Sequence, residues 1–326
     1  MSTELQEFMT YSDYQIHSEK RINTTSIDTF IERILDLNDI ILYGPPGTGK
    51  SYLIDRVLEL LGEKLGSSKT VQFHSEYTYD DFIEGLKPKI EGGFEYVEGS
   101  FYEFCNNVRK IDESGSKIHP FFIDELNRAN ITAVFGEIMY LMDKKGIREL
   151  PTARTGKPFS IPPNVVIIGT MNTADKSIGG QIDFALRRRF RFLPVYPDPS
   201  ILQELITSKG FTSELREKLT EGEYIKAFKA MNILISKHPL LGKELTLGHI
   251  LWTPKRFSEV EMNEDTLGEI FRELVLPQIV SYSGSNTELL GRILGPELRD
   301  TLIFGEYPAN DQILALLKSL QQIKIE

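Results

Sequence analysis

Short apolar runs separated by longer mixed segments mark the chain up to about residue 196. Each run has the length of a strand and carries no Asp, Glu, Lys or Arg, which is typical of a strand buried on both faces of a sheet. The runs are Ile40–Tyr43, Thr70–His74, Phe121–Ile123, Val165–Gly169 and Phe192–Val195. Because helical patterns lie between them, we predict an α/β fold, a parallel sheet flanked by helices.

Helical periodicity appears between these predicted strands. Asp28 is placed to cap a short helix before the first strand. Lys50–Leu61 and Ala133–Met142 are predicted as helices. The inward-facing residues of Lys50–Leu61 are predicted to be Leu53, Val57, Leu60 and Leu61.

The pattern becomes helical after the proline-containing segment 194–199. We therefore predict an N-terminal arm and short helix at 1–38, a nucleotide-binding α/β domain at 39–196, and a smaller, mainly helical lid at 197–326. The predicted lid helices are Ile201–Ser208, Tyr224–Lys237, Glu264–Tyr282 and Gln312–Gln322.

Two segments interrupt the alternation of strands and helices. Gly92–Gly99 alternates apolar and acidic residues between glycines, which predicts a hairpin. Arg148–Pro163 predicts a loop or a second hairpin. Both segments are equally consistent with solvated loops and with insertions that contact a partner.

Composition limits the class of protein. The chain has 326 residues, a net charge of −10 and one cysteine, Cys105. An acidic average surface disfavours direct DNA binding unless a local basic patch exists. A single thiol allows no internal disulfide, and the polar N-terminus lacks the features of a signal peptide, so we expect a cytoplasmic protein without membrane segments.

A phosphate-binding loop follows the first predicted strand. Glycines in this pattern let backbone N–H groups surround phosphate oxygens, the lysine adds a positive charge, and the hydroxyl of Ser51 can bind Mg²⁺. A chance glycine-rich turn is the alternative, which the strand before and the helix after disfavour. The predicted nucleotide-binding residues are Gly44, Pro45, Pro46, Gly47, Thr48, Gly49, Lys50 and Ser51.

An acidic pair, Asp124 and Glu125, follows the third apolar run. Asp124 is predicted to orient water on Mg²⁺, and Glu125 to accept a proton from the attacking water. A solvated, acidic strand end is the alternative interpretation. The position of the pair after a phosphate-binding loop favours the catalytic one.

Asn172 ends the fourth run, where its amide could hold the attacking water or the terminal phosphate. Capping of the following turn is the alternative role. Further on, Arg187, Arg188 and Arg189 are consecutive. An arginine inserted from a neighbouring subunit can stabilise transition-state charge, whereas a solvated basic patch at a helix end is the alternative. Asp183 is spaced to pair with Arg187.

These residues together resemble the AAA+ superfamily and, within it, the McrB-type motor subunits of modification-dependent restriction systems. Gly44–Ser51 corresponds to Walker A, Asp124–Glu125 to Walker B, and Asn172 to sensor 1. The resemblance covers roughly residues 38–196. It is carried further by the segments Val71–His74, Tyr77–Gly85, Phe122–Asn130, Met171–Ser177 and Ala185–Phe190.

The resemblance implies a homo-oligomeric, hexameric ring with the nucleotide at subunit interfaces. It makes Arg188 and Arg189 the candidate trans-acting fingers and Asp175 a candidate part of the catalytic machinery. It implies Mg²⁺ as cofactor, GTP more than ATP as substrate, and an McrC-like nuclease subunit that acts with the motor on DNA. The hairpin near Gly92–Gly99 resembles an insertion that faces the ring centre.

Some features depart from that family. About 38 residues precede the core, too few for a domain that reads a modified base. We therefore expect either that DNA is recognised through a partner or the assembled complex, or that the chain serves a different system. Lys176 replaces the usual arginine, and Ile250–Trp252 departs from the lid motif around His249. A MoxR-like ATPase chaperone is the alternative function, and a non-hydrolysing nucleotide-gated scaffold is a third.

Overall fold

The computed structural model describes residues 26–175, 184–207, 210–254 and 261–323. They form two compact units. The sheet unit contains residues 25–44 and 50–195, and the helical unit contains 45–49 and the residues from 196 onward. The sheet unit thus ends beside the predicted boundary, and the division into 1–38, 39–196 and 197–326 stays a prediction.

A five-stranded sheet forms the centre of the sheet unit. Its strands are, in spatial order, β2 (Lys69–Gln72), β5 (His119–Asp124), β8 (Val165–Asn172), β1 (Ile40–Gly44) and β9 (Arg191–Pro194). All pairings in it are parallel. The apolar runs are buried; in β8 every residue from Val165 to Met171 is inaccessible to solvent or nearly so. The strands of the chain are β1 Ile40–Gly44, β2 Lys69–Gln72, β3 Glu84–Pro88, β4 Phe94–Glu98, β5 His119–Asp124, β6 Leu150–Pro151, β7 Pro158–Phe159, β8 Val165–Asn172 and β9 Arg191–Pro194.

Helices pack on both faces of this sheet, which confirms the predicted fold class. Two apolar cores result, one around Phe82, Phe101 and Phe121 and the other around Phe30 and Ile168. The helices of the sheet unit are α1 Ile27–Leu35, α2 Lys50–Leu61, α3 Tyr79–Phe82, α4 Ser100–Ile111, α5 Ile131–Phe135, α6 Ile138–Met142 and α7 Phe184–Arg187.

Three local predictions for these helices were wrong. Ser26, not Asp28, caps α1, because its side chain accepts from the Thr29 N–H. Leu60 of α2 is 50% exposed rather than inward-facing. The predicted helix Ala133–Met142 is two short helices, because Gly136 between them has a φ of 48° that a continuing helix cannot adopt.

Both interruptions of the core pattern contain hairpins. Strands β3 and β4 pair antiparallel, with Gly92 and Gly93 in the turn, so the predicted hairpin exists but begins earlier, at Glu84. Strands β6 and β7 form a second, shorter one. The buried Glu84 carboxylate links the two segments, because it accepts hydrogen bonds from the Arg154 and Thr155 backbone.

The helical unit follows the predicted pattern with additional helices. One α-helical segment, predicted as Glu264–Tyr282, contains a π-helical turn at Phe271–Val275 just before Pro277. Among the described residues, no helix combines the length and apolar character needed to cross a bilayer. The helices are α8 Pro199–Thr207, α9 Ser213–Lys218, α10 Glu221–Lys237, α11 Glu264–Ile270, α12 Leu276–Ser283, α13 Thr287–Leu294, α14 Pro296–Ile303 and α15 Asn310–Gln321.

Candidate functional site

The glycine-rich loop runs from the end of β1 to the start of α2, as predicted. Gly47 and Gly49 have φ angles of 71° and 79°, values that glycine adopts readily and that suit a backbone turned around an anion. The buried Thr48 hydroxyl donates to the Pro45 carbonyl at 3.0 Å. This contact within the loop helps to hold its turn.

Lys50 begins α2, and its Nζ donates to the Gly44 carbonyl at 3.0 Å. Burial lowers the pKa of Lys50 to about 8, while the nearby charges of Asp124 and Asp175 act in the opposite direction. A largely buried ammonium beside two carboxylates is a typical arrangement at a functional site.

Within the helical unit, the loop 45–49 is covered by the segment that begins at Gly248. The Gly248 N–H donates to the Pro46 carbonyl at 3.2 Å, and the Ile250 N–H donates to the Gly47 carbonyl at 3.0 Å. A Cβ on Gly248 would lie 2.0 Å from the Gly47 carbonyl carbon. Glycine at 248 is therefore required for this close approach.

His249, whose role the sequence left open, is buried in the same segment. Its Nδ1 accepts from the Asp198 N–H at 3.3 Å. Burial lowers the pKa of His249 to about 4, against a smaller opposing effect of Asp198. The imidazole is therefore neutral at physiological pH and serves as a packed hydrogen-bond acceptor.

Thr170 of β8 connects the two predicted catalytic acids. Its Oγ1 donates to Asp124 Oδ1 at 2.5 Å and accepts from the Glu125 N–H at 3.0 Å. The side chain is buried. Thr170 was not identified from the sequence, although a lone hydroxyl inside an apolar strand is the signal that could have identified it.

Glu125 has an unusual backbone conformation, with φ 53° and ψ 44°, which is uncommon for a residue other than glycine, asparagine or aspartate. Its Oε2 contacts Arg128 Nε at 2.7 Å and accepts a long hydrogen bond of 3.4 Å from Gln72 Nε2. Neither Arg128 nor Gln72 was assigned a role from the sequence. Strained backbone at a cluster of polar groups is a frequent feature of active sites.

Asn172 ends β8 opposite Gly44, the first residue of the loop. Its Oδ1 accepts from the Ala174 N–H at 3.2 Å, which is the turn-capping contact considered as the alternative. The amide Nδ2 is the atom that would donate to a phosphate or water. The Thr173 N–H donates to the Gly44 carbonyl at 3.1 Å and so joins this turn to the loop.

Asp175 lies close to the same group. Its Oδ2 is buried and has no hydrogen-bond partner among the described residues, and Arg128 Nη2 lies 3.6 Å from it. Its charge also acts on Lys50. The sheet unit therefore brings together Lys50, Asp124, Glu125 and Asp175 at the carboxyl ends of parallel strands, as ligand sites of open α/β sheets are arranged.

The three arginines differ in environment. Arg187 lies over the Phe192 ring at 6.0 Å, and Arg188 is exposed. Arg189 is only 7% exposed and pairs with Asp143 at 2.7 Å. Arg189 is thus engaged within its own chain, and the finger role predicted for Arg188 and Arg189 stays a prediction. The predicted partner of Arg187, Asp183, lies outside the described residues.

Mg²⁺ is compatible with the residues present. Ser51 offers a hydroxyl and Asp124 a carboxylate whose Oδ1 is engaged by Thr170, which leaves Oδ2 as acceptor for a metal-bound water. The described residues contain no group of three or more His, Cys, Asp or Glu that could hold a metal ion. Mg²⁺ needs only a few protein oxygens, because waters and substrate phosphates complete its coordination shell.

Comparison with protein families identifies residues 39–190 as an AAA domain of the dynein-related subfamily. Among solved structures, that of an ATPase from Cytophaga hutchinsonii aligns with 64% of this chain. The alignment covers 62% of the ATPase chain, at 16% identity and a TM-score of 0.38. That likeness is too weak to carry an argument.

Two curated relatives are components of restriction enzymes. The EcoKMcrB subunit of a type IV methyl-directed restriction enzyme from Escherichia coli K12 is 37% identical over 80% of this chain and 57% of its own length. The YdiS component of the type II restriction enzyme BsuMI from Bacillus subtilis is 31% identical over 47% of this chain and 55% of its own. The chain thus spans about half the length of these relatives. The MoxR-like alternative is not favoured by them.

Proposed function

This chain is an McrB-like AAA+ protein, and on that premise we propose that it hydrolyses nucleoside triphosphate as the motor subunit of a restriction system. The observation that carries the proposal is the pair of acids Asp124 and Glu125, which the Thr170 hydroxyl joins, with the buried Lys50 near the Asp124 charge. This arrangement combines a cation for phosphate, a carboxylate for a metal-bound water and a carboxylate for the attacking water.

The residues have distinct roles in the proposed reaction. The loop Gly44–Ser51 binds the phosphates, with Lys50 supplying positive charge. Mg²⁺, held by Ser51 and through water by Asp124, would neutralise charge on the phosphate oxygens. Glu125 accepts the proton of the attacking water.

Two further residues orient that water or the terminal phosphate. Asn172 Nδ2 donates to the water or to the phosphate, because Asn172 Oδ1 is engaged by the turn. Asp175 supplies a second carboxylate near Lys50. Both roles are proposals from the resemblance and from these positions.

Substitution of the proposed base tests the mechanism. Glu125→Gln should retain Mg²⁺–nucleotide affinity and lose about 10²–10⁴-fold in turnover, the range of general-base catalysis. Glu59→Gln, which changes an exposed glutamate of α2 that pairs with Arg56, is the control and should turn over normally. Equal turnover of the Glu125→Gln and control variants would reject the assignment.

We further propose that GTP is preferred over ATP, and that a hexameric ring acts on DNA together with an McrC-like nuclease subunit. The similarity to a methyl-directed restriction subunit supports this choice. The test is steady-state turnover with GTP and with ATP at saturation, with and without the product of a neighbouring nuclease gene. Equal or faster turnover of ATP would overturn the GTP preference, and absence of stimulation would count against the partner.

A further inference from the structure

Ser67, His119 and Asp112 form an edge triad, a chain of polar contacts at the amino-terminal edge of the sheet. Ser67 Oγ lies 2.9 Å from His119 Nδ1, and His119 Nε2 lies 3.2 Å from Asp112 Oδ2. His119 is the first residue of β5, and Ser67 lies just before β2, the parallel neighbour of β5. Because Asp124 ends β5, the edge triad lies at the opposite end of that strand from the proposed nucleotide site.

The contacts determine which imidazole nitrogen carries the proton. The Ser67 N–H donates to His119 Nδ1 at 3.0 Å. A backbone N–H can only donate, so Nδ1 holds the lone pair, and Nε2 carries the hydrogen that is donated to Asp112. In this tautomer Nδ1 is also the acceptor for the Ser67 hydroxyl, which is the arrangement in which an imidazole takes a proton from a serine.

Asp112 is held as a carboxylate. Its side chain is only 6% exposed, and it accepts from the Lys117 N–H at 2.9 Å and from Asn164 Nδ2 at 3.0 Å. The hydrogen bond from the Lys117 N–H contributes most to holding the pKa of the Asp112 carboxyl well below its usual range. An ionised carboxylate on Nε2 orients the ring and stabilises the imidazolium that forms when Nδ1 takes up a proton.

Close packing fixes the position of the imidazole. The His119 side chain is 1% exposed, and its ring lies against the backbone at Gly66, where a Cβ would be 2.2 Å from His119 Cε1. Only glycine at position 66 allows this approach. The base is therefore fixed within reach of the Ser67 hydroxyl, as proton transfer to a positioned side chain requires.

A surface cavity of about 640 Å³ lies beside the edge triad and has the size of a small-molecule site. Ser67 is half-buried in its wall. Lys110 and Lys117 line the same cavity and can compensate negative charge on a carbonyl oxygen. The N–H groups of Ser116 and Lys117 already donate to Asp112. We therefore expect a slower reaction than with a backbone oxyanion hole, in which one donor contributes about 10²–10³ in rate.

We propose that Ser67 is a nucleophile activated by His119 and Asp112, and that the cavity takes a small acyl ester whose acyl group is transferred to Ser67. Ser67 Oγ attacks the carbonyl carbon while its proton passes to His119 Nδ1. The bond to the leaving alcohol breaks, and the alcohol oxygen takes that proton from the imidazolium. Water then attacks the acyl-serine by the same proton path and releases a carboxylic acid and free Ser67. This activity goes beyond nucleotide hydrolysis.

Labelling of the nucleotide-free full chain with p-nitrophenyl acetate, and separately with a fluorophosphonate, tests the nucleophile. Peptide mapping by mass spectrometry after an acid quench should find Ser67 modified about 10²–10⁴ times faster than Ser68, since general-base catalysis acts on Ser67. Ser68 is the exposed neighbour and serves as the internal control. Ser67→Ala should lose the fast adduct. Modification of Ser67 no faster than that of Ser68 would overturn the proposal.

Asp112→Asn tests the carboxylate of the edge triad. The variant should slow the labelling of Ser67 by up to about 10⁴-fold, because an amide does not stabilise the imidazolium. Glu113→Gln removes the same charge from the next, exposed residue and should be labelled as fast as wild type. A folded Asp112→Asn chain with wild-type labelling would show that the edge triad does not activate Ser67.

Cysteine variants give a decisive result even where Asp112→Asn fails to fold. Iodoacetamide should alkylate Ser67→Cys about tenfold faster than Ser68→Cys near neutral pH, because an adjacent imidazole favours the thiolate. The native thiol, Cys105, is buried. Equal alkylation rates would overturn the proposal. These measurements require no nucleotide, so absence of turnover with GTP and with ATP would reject the proposed function and leave this test unaffected.

Discussion

The charge of Lys50 is sensitive to pH near neutrality. Burial lowers its pKa from 10.5 to about 8, and only the protonated form compensates phosphate charge. Nucleotide affinity should therefore be constant below pH 8 and fall by about tenfold per pH unit above it, since binding requires one proton. Calorimetric titration between pH 6.5 and 9.5 measures this change.

The control for this prediction is Lys50→Arg. Arginine stays protonated over the whole range, so this variant should bind more weakly but with little dependence on pH. Near pH 8 the wild type should take up a proton on binding, and the variant should not. Proton uptake makes the measured binding enthalpy differ between buffers with different ionisation enthalpies. A flat wild-type profile would contradict the role of Lys50.

Thr170 organises the acids, so its hydroxyl should matter for both stability and catalysis. Thr170→Val keeps the shape but leaves the Glu125 N–H without its acceptor and removes the 2.5 Å contact to Asp124. We expect a loss of about 1–3 kcal/mol in the free energy of unfolding and a clear fall in kcat. Denaturant unfolding and steady-state kinetics measure the two effects.

Thr246→Val is the matched control for that substitution. Thr246 is also buried, and its hydroxyl donates to the Lys243 carbonyl at 2.8 Å in the helical unit. It should cost about 0.5–1.5 kcal/mol of stability and leave kcat unchanged. An equal fall in kcat for both variants would show that Thr170 acts through general stability alone.

Residue types at this site were predictable, whereas their pairings were not. The loop pattern identified Lys50, and the end of an apolar run identified Asp124 and Glu125. The contacts of Thr170 and Arg128 depend on which strands are neighbours and on the turn after Glu125, which sequence spacing does not determine. The pairing of Arg189 with Asp143 likewise joins residues far apart in the chain.

Helix breaks show the same distinction at the scale of elements. The period of Ala133–Met142 is helical on both sides of Gly136, so periodicity alone predicts one helix. The positive φ of Gly136 separates α5 from α6, and a Cβ at this position would lie 3.3 Å from the Tyr79 ring. The strands of the five-stranded sheet were predictable from apolar runs. Helix α4 was not predicted, because its aromatic and asparagine residues have low helix propensity.

Gly136 provides a direct test of that break. Gly136→Ala places a side chain beside Tyr79 on a backbone with φ 48° and ψ −128°, which glycine alone adopts readily, and should destabilise the protein by about 1–3 kcal/mol. Gly222→Ala, in the first turn of α10 with open space around it, should be neutral or stabilise by up to about 1 kcal/mol. The unfolding midpoints of the Gly136→Ala and Gly222→Ala variants are compared. Equal and small effects would mean that the chain can continue as a helix through residue 136.

At the scale of the whole molecule, Arg188 and Arg189 lie in different environments, which suit different roles. Arg189 is nearly buried and paired within its chain, so it contributes to the fold of the sheet unit. Arg188 is exposed next to it, so of the two predicted finger residues it is the one that a neighbouring subunit could reach. We therefore assign the proposed finger role to Arg188.

Mixing variants tests whether Arg188 acts in trans. Lys50→Ala chains should fail to bind nucleotide but still present Arg188, whereas Arg188→Ala chains should bind nucleotide without a finger. A mixture should therefore regain part of the wild-type turnover that neither variant shows alone, because a finger contributes about 10³–10⁵ in rate. The control mixture, Lys50→Ala with a Lys50→Ala/Arg188→Ala chain, should stay inactive. No recovery at any mixing ratio, with ring assembly verified by light scattering, would argue that hydrolysis does not depend on an arginine from the neighbour.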